Sequence, residues 1–530
     1  MYMLELQRCL KNSIVTGLVA LFCSSPLAAQ AGSFALNEQS VSGLGVAYAG
    51  GAAQASDVSS LFFNPASIAL LNQGELQFGG QLLMPSATFT NEGSRYKLPN
   101  TPFNNLPISG GNGGDGGVNH ILPNIYFSQP VFRSSQYGDL SFGIGLSVPF
   151  GLETDYSPGW VGRYFALRSK LTVFDIQPTI AYRLFNRISL GVSVDIQYAS
   201  ARLTQAIDFG LAGAGLLGQF EQALPALLAA RGVPPAAIPG VVNATRQAYN
   251  NAGFLPGGRD GVSEISGSDW QAGFTLGAIF EYWKGDEREC FQDGRVGFSY
   301  RSGITHDIQG RANFRDVPSL TAAAAPVQFP QPNVFQSIFS DQNADAGLNL
   351  PEIYHFSVYQ RFARQFALMG DIDWTRWSRL QNIPITFQNP NTPTDVLNLQ
   401  YTDSVRYAVG FEWYATKDLT FRLGFAYDET PIRSADTRLP EIPDSNKYFI
   451  STGLRWSPTR FCDIDVGYAH LFVPDPLVNI TDNMGHNLRG KFDASVDIVS
   501  AALTFRWGGP REIAPSTLEP QGKQAVSYRK

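Results

Sequence analysis

The chain has 530 residues, 16% of them charged, with 52 glycines and 5 methionines. Soluble globular domains are about 25% charged, so the deficit of charge calls for a structural reason. At 44% hydrophobic and 12% aromatic residues, the composition excludes a disordered chain. A mean hydropathy of −0.09 and the lack of any apolar run of about 18 residues exclude a helical membrane protein. A net charge of −6, with both signs interspersed, gives no electrostatic surface for nucleic acid.

Residues 1–31 have the pattern of a secretory signal: Arg8 and Lys11, an apolar core over 14–22, then the small-x-small site Ala29-Gln30-Ala31. Cleavage there removes Cys9 and Cys23 and leaves Cys290 and Cys462, too few for a disulfide framework. Residues 32–73 are rich in Gly, Ala and Ser with scattered Leu, Phe and Ile, and nothing in them alternates. They read as a periplasmic appendage or as a plug in a lumen.

From about residue 75 the period is two. In Ile188-Ser189-Leu190-Gly191-Val192-Ser193-Val194-Asp195-Ile196-Gln197-Tyr198 the even positions are apolar and the odd ones small or polar. Residues 173–182, 270–282, 366–374, 419–427 and 464–472 repeat the pattern. Short connections fall at 129–139, 185–187, 284–295, 363–365, 415–418 and 458–463. Between them lie long polar stretches at 86–118, 151–169, 205–267, 310–350, 380–402, 429–446 and 474–490. Short and long alternate strictly, so 6 turns and 7 loops predict 14 antiparallel strands. An even strand number with turns at one end and loops at the other defines a transmembrane β-barrel of the outer-membrane type. The fold class is therefore all-β, with the barrel over 74–507. Aromatics near the turn end, among them Tyr182, Phe185, Phe280, Trp283, Trp413, Tyr414 and Trp456, predict a headgroup-level girdle. Residues 219–252, Ala- and Leu-rich with Phe220, Leu224 and Leu227 at helical spacing, predict short helices in an outer loop. These helices either form an apolar groove or pack on their own barrel.

Chemistry finds little footing. Five scattered histidines offer no metal spacing, no Gly-x-Ser-x-Gly elbow occurs, and Gly43-Leu44-Gly45 lacks the strand and third glycine of a dinucleotide loop. No cofactor and no catalytic residue is expected.

The segments Phe34-Ala35-Leu36-Asn37-Glu38-Gln39-Ser40, Ser42-Gly43-Leu44-Gly45 and Asn64-Pro65-Ala66 resemble the N-terminus of the FadL-type long-chain fatty acid transporters, a family that includes TodX-like channels for aromatic hydrocarbons. The likeness continues through Pro149-Phe150-Gly151-Leu152, Ala181-Tyr182-Arg183-Leu184, Leu350-Pro351-Glu352, Trp374-Thr375-Arg376-Trp377-Ser378 and Ile442-Pro443-Asp444. It implies a 14-stranded barrel with residues 32–73 as a hatch in the lumen. Asn64, Pro65 and Ala66 would then pack beside a third strand kinked near Phe150 and Gly151, where a gap in the wall lets ligand leave sideways. The segment with Phe34 and Leu36 would reach into the binding pocket. In the fatty-acid members, basic side chains on the fifth strand and near the start of the tenth meet the carboxylate. Aligned on Tyr198-Ala199 and Arg406, those places hold Gln205 and Leu397, which favours neutral hydrocarbons. Arg202, beside Leu203, is either a substitute partner for a carboxylate or a wet lumen arginine.

The resemblance thus implies passive uptake of hydrophobic molecules through the outer membrane of a Gram-negative cell. The expected partners are an apolar small molecule and outer-membrane lipid, with the protein acting as a monomer. The competing readings are a general aqueous porin, a barrel-embedded enzyme and a surface receptor or adhesin. Phe505-Arg506-Trp507 ends the last strand, and 508–530, rich in Pro, Gln and charge, reads as a disordered periplasmic tail.

Overall fold

In a computed structural model, residues 33–134, 137–285 and 289–508 are described. The signal over 1–31 and the tail beyond Gly508 lie outside the described residues. Fourteen antiparallel strands form the wall. In chain order they are β1 (Gly74–Asn91), β2 (His120–Ser134), β3 (Gly138–Asp155), β4 (Arg168–Leu184), β5 (Ile188–Asp208) and β6 (Asp260–Lys284). Next come β7 in two pieces (Phe291–Arg301 and Thr305–Arg315) and β8 in two pieces (Gln342–Asn349 and Ile353–Phe362). β9 (Phe366–Thr375) resumes as Asn382–Phe387, and β10 joins Asp395–Asn398 to Ser404–Tyr414. β11 (Leu419–Asp428), β12 (Lys447–Thr459), β13 (Cys462–Val473) and β14 (His486–Trp507) complete the series. The wall closes where β1 pairs with β14 from Gly74↔Trp507 to Asn91↔Gly490. Closure lets every strand meet its backbone partners without an edge, as lipid requires.

The period-two reading holds residue by residue. On β5, Leu190, Val192, Val194 and Ile196 face outward and exposed, while Ser189, Ser193, Asp195 and Gln197 are buried toward the lumen. Phe185, Phe280, Trp283, Trp413 and Trp456 stand exposed near the turn end. Tyr414 departs from the expected girdle. It lies on the lumen side and donates to Oε2 of Glu412 at 2.6 Å, because it shares the inward parity of that residue. The turns fall where short connections were expected, but the strands outrun the membrane. β5 and β6 remain paired out to Asp208↔Asp260, well inside the stretch expected to be loop. Above the bilayer a hairpin needs no greasy face, so its residues give no alternation to read. Cys462 carries a free thiol, so it does not bridge to Cys290.

Residues 33–73 fill the lumen. Helix α1 (Val41–Leu44) is capped by Ser40, and two 3₁₀ turns, Val58–Leu61 and Pro65–Leu70, are capped by Asp57 and Asn64. Leu44, Val46, Leu61, Phe63 and Ile68 bury themselves against inward alanines of the wall, among them Ala181, Ala367, Ala408, Ala426 and Ala469. Small wall residues are what let a folded segment sit inside a barrel of this size. In the loop after β5, helices α2 (Phe209–Ala230) and α3 (Ile238–Asn251) form where helices were expected. Their apolar faces are filled rather than grooved. Phe209, Tyr249 and Phe254 pack with Leu320 and Phe335, and Leu224 and Leu228 pack with Val327 of the loop between β7 and β8.

Buried ion pairs tie the hatch to the wall. Arg455 of β12 pairs with hatch Asp57 and, at 2.9 Å, with Asp465 of β13. Glu75 of β1 accepts from the Val58 amide at 3.0 Å and pairs with Arg506 at 2.8 Å. Burial acts to raise the Asp57 carboxyl, but Arg455, Ser42 and Ser59 outweigh it and hold the group well below the usual carboxylate range. A depressed folded value contributes stability above the unfolded value of about 4 and loses it only as pH falls through the folded one. Removing one partner of a buried pair costs about 3–5 kcal/mol. Asp57→Asn keeps the cap and removes the charge. It should therefore speed hydrogen exchange in 33–73 by a similar factor at pH 5 and pH 8, with the barrel still heat-modifiable on gels. An exchange rate matching the parent would show that this pair does not anchor the hatch.

Candidate functional site: a cavity that opens through the wall

β2 and β3 pair from Ser134↔Gly138 only as far as Ile125↔Leu146. Beyond that point β3 slips in register against β4 between Ser147 and Phe150 and turns away from β2. The two strands approach again only above, at the Gly117↔Thr154 bridge and where Nε2 of His120 meets Oε2 of Glu153 at 2.9 Å. Between these limits the wall is interrupted over some five residues of β2, roughly 16 Å at strand rise.

The hatch supplies what β2 withholds. Ala35 bridges Phe150, the Leu36 amide donates to the Pro149 carbonyl at 2.8 Å, and the Gly151 amide donates to Phe34 at 3.0 Å. The Gln39 side chain donates to the Val148 carbonyl at 2.6 Å and accepts from its amide at 3.0 Å. Phe34 is wedged at ring distances of 4.8 Å from Trp377 and 6.2 Å from Phe150, and Ser33 Oγ lies 2.8 Å from the Tyr401 hydroxyl.

A cavity of about 650 Å³ lies at this place. Its lining includes Phe34, Leu36, Val148 and Leu171 from the inside together with Ile121 and Phe174. Ile121 is 72% exposed and Phe174 39% exposed on the outer, lipid-facing surface. The cavity therefore communicates with both faces of the wall. Gly151 sits in the opening, where an added Cβ would meet the Leu36 side chain at 3.1 Å. Overhead, loop residues Tyr156, Trp160 and Val161 pack with Phe89 and Phe492 into an aromatic cap.

Phe34, Leu36, Phe150 and Gly151 thus lie together. Asn64, Pro65 and Ala66 are not beside the kink. Asn64 donates to carbonyls of Ala52, Ala278 and Phe298, and a Cβ at Gly191 or Gly277 would overlap these three residues, so they pack on β5, β6 and β7. Arg202 does not face the lumen. Its side chain is 51% exposed, 3.9 Å from Glu264, because it shares the outward parity of Val194 and Ile196. Leu203, Gln205 and Leu397 do converge, in a small second cavity with Asp395 and Glu441. There Gln205 donates to Asp395 at 3.0 Å, so acids stand where a carboxylate partner was sought.

Sequence reasoning passed over the polar lining of the main cavity: Glu38, Arg406, Asp428, Glu441 and Lys447. Lys447 pairs with Asp444 at 2.8 Å and Arg406 with Asp373 at 3.4 Å. Burial raises Glu38 to about 7 and Glu441 to about 8. The nearest signal was Ile442-Pro443-Asp444, which marks the loop carrying Glu441 but not its direction.

A closed 14-stranded barrel, apolar outside and hatched within, defines an outer-membrane transport protein. Residues 22–507 match the family described as outer membrane protein transport protein (OMPP1/FadL/TodX), and the chain belongs to that family. It is 28% identical over 438 residues to the long-chain fatty acid transport protein of Escherichia coli O6:H1, covering 83% of this chain and 86% of the relative. It is 25% identical over 449 residues to outer membrane protein P1 of Haemophilus influenzae strain Rd, covering 84% and 86%. The fold is similar to that of a Pseudomonas aeruginosa FadL homologue, with a TM-score of 0.70 at 21% identity over 90% of this chain and 100% of the other. It is also similar to the Ralstonia pickettii toluene transporter TbuX, with a TM-score of 0.55 at 18% identity over 88% and 98%.

Phe34→Ala removes the ring that closes the inner side of the cavity. The variant should bind an apolar probe at least tenfold more weakly, about 1.4 kcal/mol, while the barrel stays folded and heat-modifiable. Unchanged affinity would mean that Phe34 does not line the binding site.

Proposed function

We propose that this chain takes up hydrophobic molecules passively, by adsorption at the loops, binding in the cavity and lateral release through the gap between β2 and β3 into the outer leaflet. The observation that carries this reading is that one cavity is lined both by hatch residues and by the lipid-facing Ile121 and Phe174. An apolar ligand gains about 0.8 kcal/mol for each CH₂ kept out of water, so a greasy path to lipid holds affinity that an aqueous pore would lose. A concentration gradient is enough to drive such a path. A general porin would need the lumen that residues 33–73 occupy. The relatives' names offer fatty acids and toluene as substrate classes. The barrel acts as a monomer, with outer-membrane lipid receiving the ligand.

The cavity favours ligands that do not depend on a carboxylate. In the small second cavity Gln205 and Leu397 sit with two acids and Arg202 points away, and in the main cavity Lys170, Arg406 and Lys447 are each paired with a carboxylate, so a fatty acid finds no uncommitted cation in either. A charge-assisted hydrogen bond contributes about 1.5–3 kcal/mol against about 1 for a neutral one. Laurate and its methyl ester should therefore bind the purified protein within about threefold of each other, and Arg202→Ala should change neither. A preference for the acid above tenfold would contradict the neutral-ligand reading. Uptake of labelled toluene or alkane against labelled oleate, in cells with and without the protein, tests transport itself; no difference between the cells would overturn it.

A further inference from the structure

The outward face of β4 to β7 changes chemistry level by level. Phe174, Tyr198 and Trp270 stand at one level on β4, β5 and β6, paired in register, with the Tyr198 and Trp270 rings 5.0 Å apart. Such a row of rings marks the membrane interface. Two residues higher, the same strands and β7 present hydroxyls and an amide: Thr172, Ser200, Ser268 and Gln309. Two residues higher again stand Lys170, Arg202 and Arg311, with Ser266 between the two arginines. Alternation keeps all of them on the outward parity of the exposed Phe174 and Trp270. The cationic level is thus about 13 Å along the strands from the aromatic one, or about 10 Å above it at a strand tilt of about 40°. Headgroups of the outer leaflet occupy that height.

Acids do not cancel this charge. Glu153 alone takes His120 at 2.9 Å, Arg168 at 2.6 Å and Lys170 at 2.7 Å. Asp155 lies 3.7 Å from Arg168, and Glu264 is shared between Arg315 at 3.1 Å and Arg202 at 3.9 Å. The exposed Arg311 side chain makes no hydrogen bond or ion pair among the described residues. Five outward cations therefore meet three carboxylates. The exposed Asp345 and Asp307, one and two levels below Arg311, bound the patch on the β8 side.

We propose that this row holds the phosphates of an outer-leaflet glycolipid, an acylated and phosphorylated sugar such as lipid A. Lys170 and Arg202 are direct partners across β4 and β5, about 5 Å apart at Cα, and take one phosphate between them. Arg311, two strands on and about 10 Å from Arg202, takes a second. Guanidinium groups meet phosphate oxygens through parallel N–H donors. The hydroxyl level beneath suits the sugar and its acyl linkages, and the aromatic level suits the start of the chains. Anionic, hydroxyl and apolar groups in that vertical order belong to such a lipid and to no soluble ion. The row also begins at the opening, because His120, Glu153 and Lys170 border the main cavity. A lipid held there lays its chains over Phe174, beside the gap. The proposal stands on the outward wall alone and does not depend on the cavity being the ligand site.

The full chain, purified in a non-ionic detergent, is titrated with lipid A bearing two phosphates and with the same lipid stripped of them, bound lipid being counted by native mass spectrometry. The two-phosphate form should bind at least tenfold more tightly, about 1.4 kcal/mol, with an advantage that shrinks as salt rises. In the double variant Arg202→Gln, Arg311→Gln the ratio should fall to within about threefold, while the barrel stays heat-modifiable and binds an apolar probe as the parent does. The pair Arg433→Gln, Arg460→Gln, which removes the same charge from exposed positions in an outer loop and a turn, should keep the preference. Equal binding of the two lipids by the parent, a preference that survives Arg202→Gln, Arg311→Gln, or one lost equally in Arg433→Gln, Arg460→Gln overturns the proposal. Inorganic phosphate binding as tightly as the two-phosphate lipid would make the row a site for free anions and overturns it as well.

Discussion

At membrane depth every backbone N–H and C=O must find its partner within the protein. β3 breaks that rule with β2 above Leu146, and the hatch restores it: Phe34 and Leu36 take the vacated hydrogen-bonding positions, and the Gln39 amide satisfies both polar groups of Val148. The opening and the plug are consequently one device. A wall with this interruption would expose unpaired backbone to lipid without residues 34–39, and all of these but Gln39 also line the cavity. Residues 34–36 thus seal β3 and border the cavity through the same short stretch of chain.

The rest of the hatch is held by different means. Buried ion pairs through Asp57 and Glu75, and close packing of Pro65 and Ala66 on Gly191 and Gly277, fix residues 57–70 to strands on several sides of the barrel. The N-terminal stretch is held by neutral contacts: a short bridge, a ring cluster, the Gln39 side-chain amide and the hydroxyls of Tyr401 and Tyr126. The division gives a base held by charge and close packing and a tip held by neutral contacts, and the tip is the part that lines the cavity. The polar groups of the cavity follow the same logic. The cations among them are spent in pairs: Lys170 with Glu153, Arg406 with Asp373 and Lys447 with Asp444.

Much of this was legible in the chain. Strand number came from two independent patterns, the alternation of Ile188 to Tyr198 and its repeats, and the alternation of short and long connections. Both are local. The facing of Arg202 was legible too. The even positions of β5 face outward from Leu190 to Ile196, and carrying that parity on places Arg202 outside and Gln205 within. What sequence did not reveal was pairing over distance. The motif Asn64-Pro65-Ala66 encodes a capped turn, but which strands it meets depends on glycines far along the chain. The outer helices encode an apolar face, but what covers it is a loop some 100 residues later. Glu38 and Glu441 are about 400 residues apart and carry no local mark of meeting one cavity.

The claim on which the account turns is that ligand leaves through the side of the barrel. Gly151→Trp tests it most directly, because the new ring would occupy the opening beside Leu36 and leave the inner cavity in place. The measurement is uptake of a labelled apolar compound by cells, set beside binding of the same compound to the purified variant. Uptake falling to the level of cells lacking the protein, with binding retained within a few-fold, is the predicted result. Normal uptake by Gly151→Trp would contradict lateral passage and place the exit elsewhere.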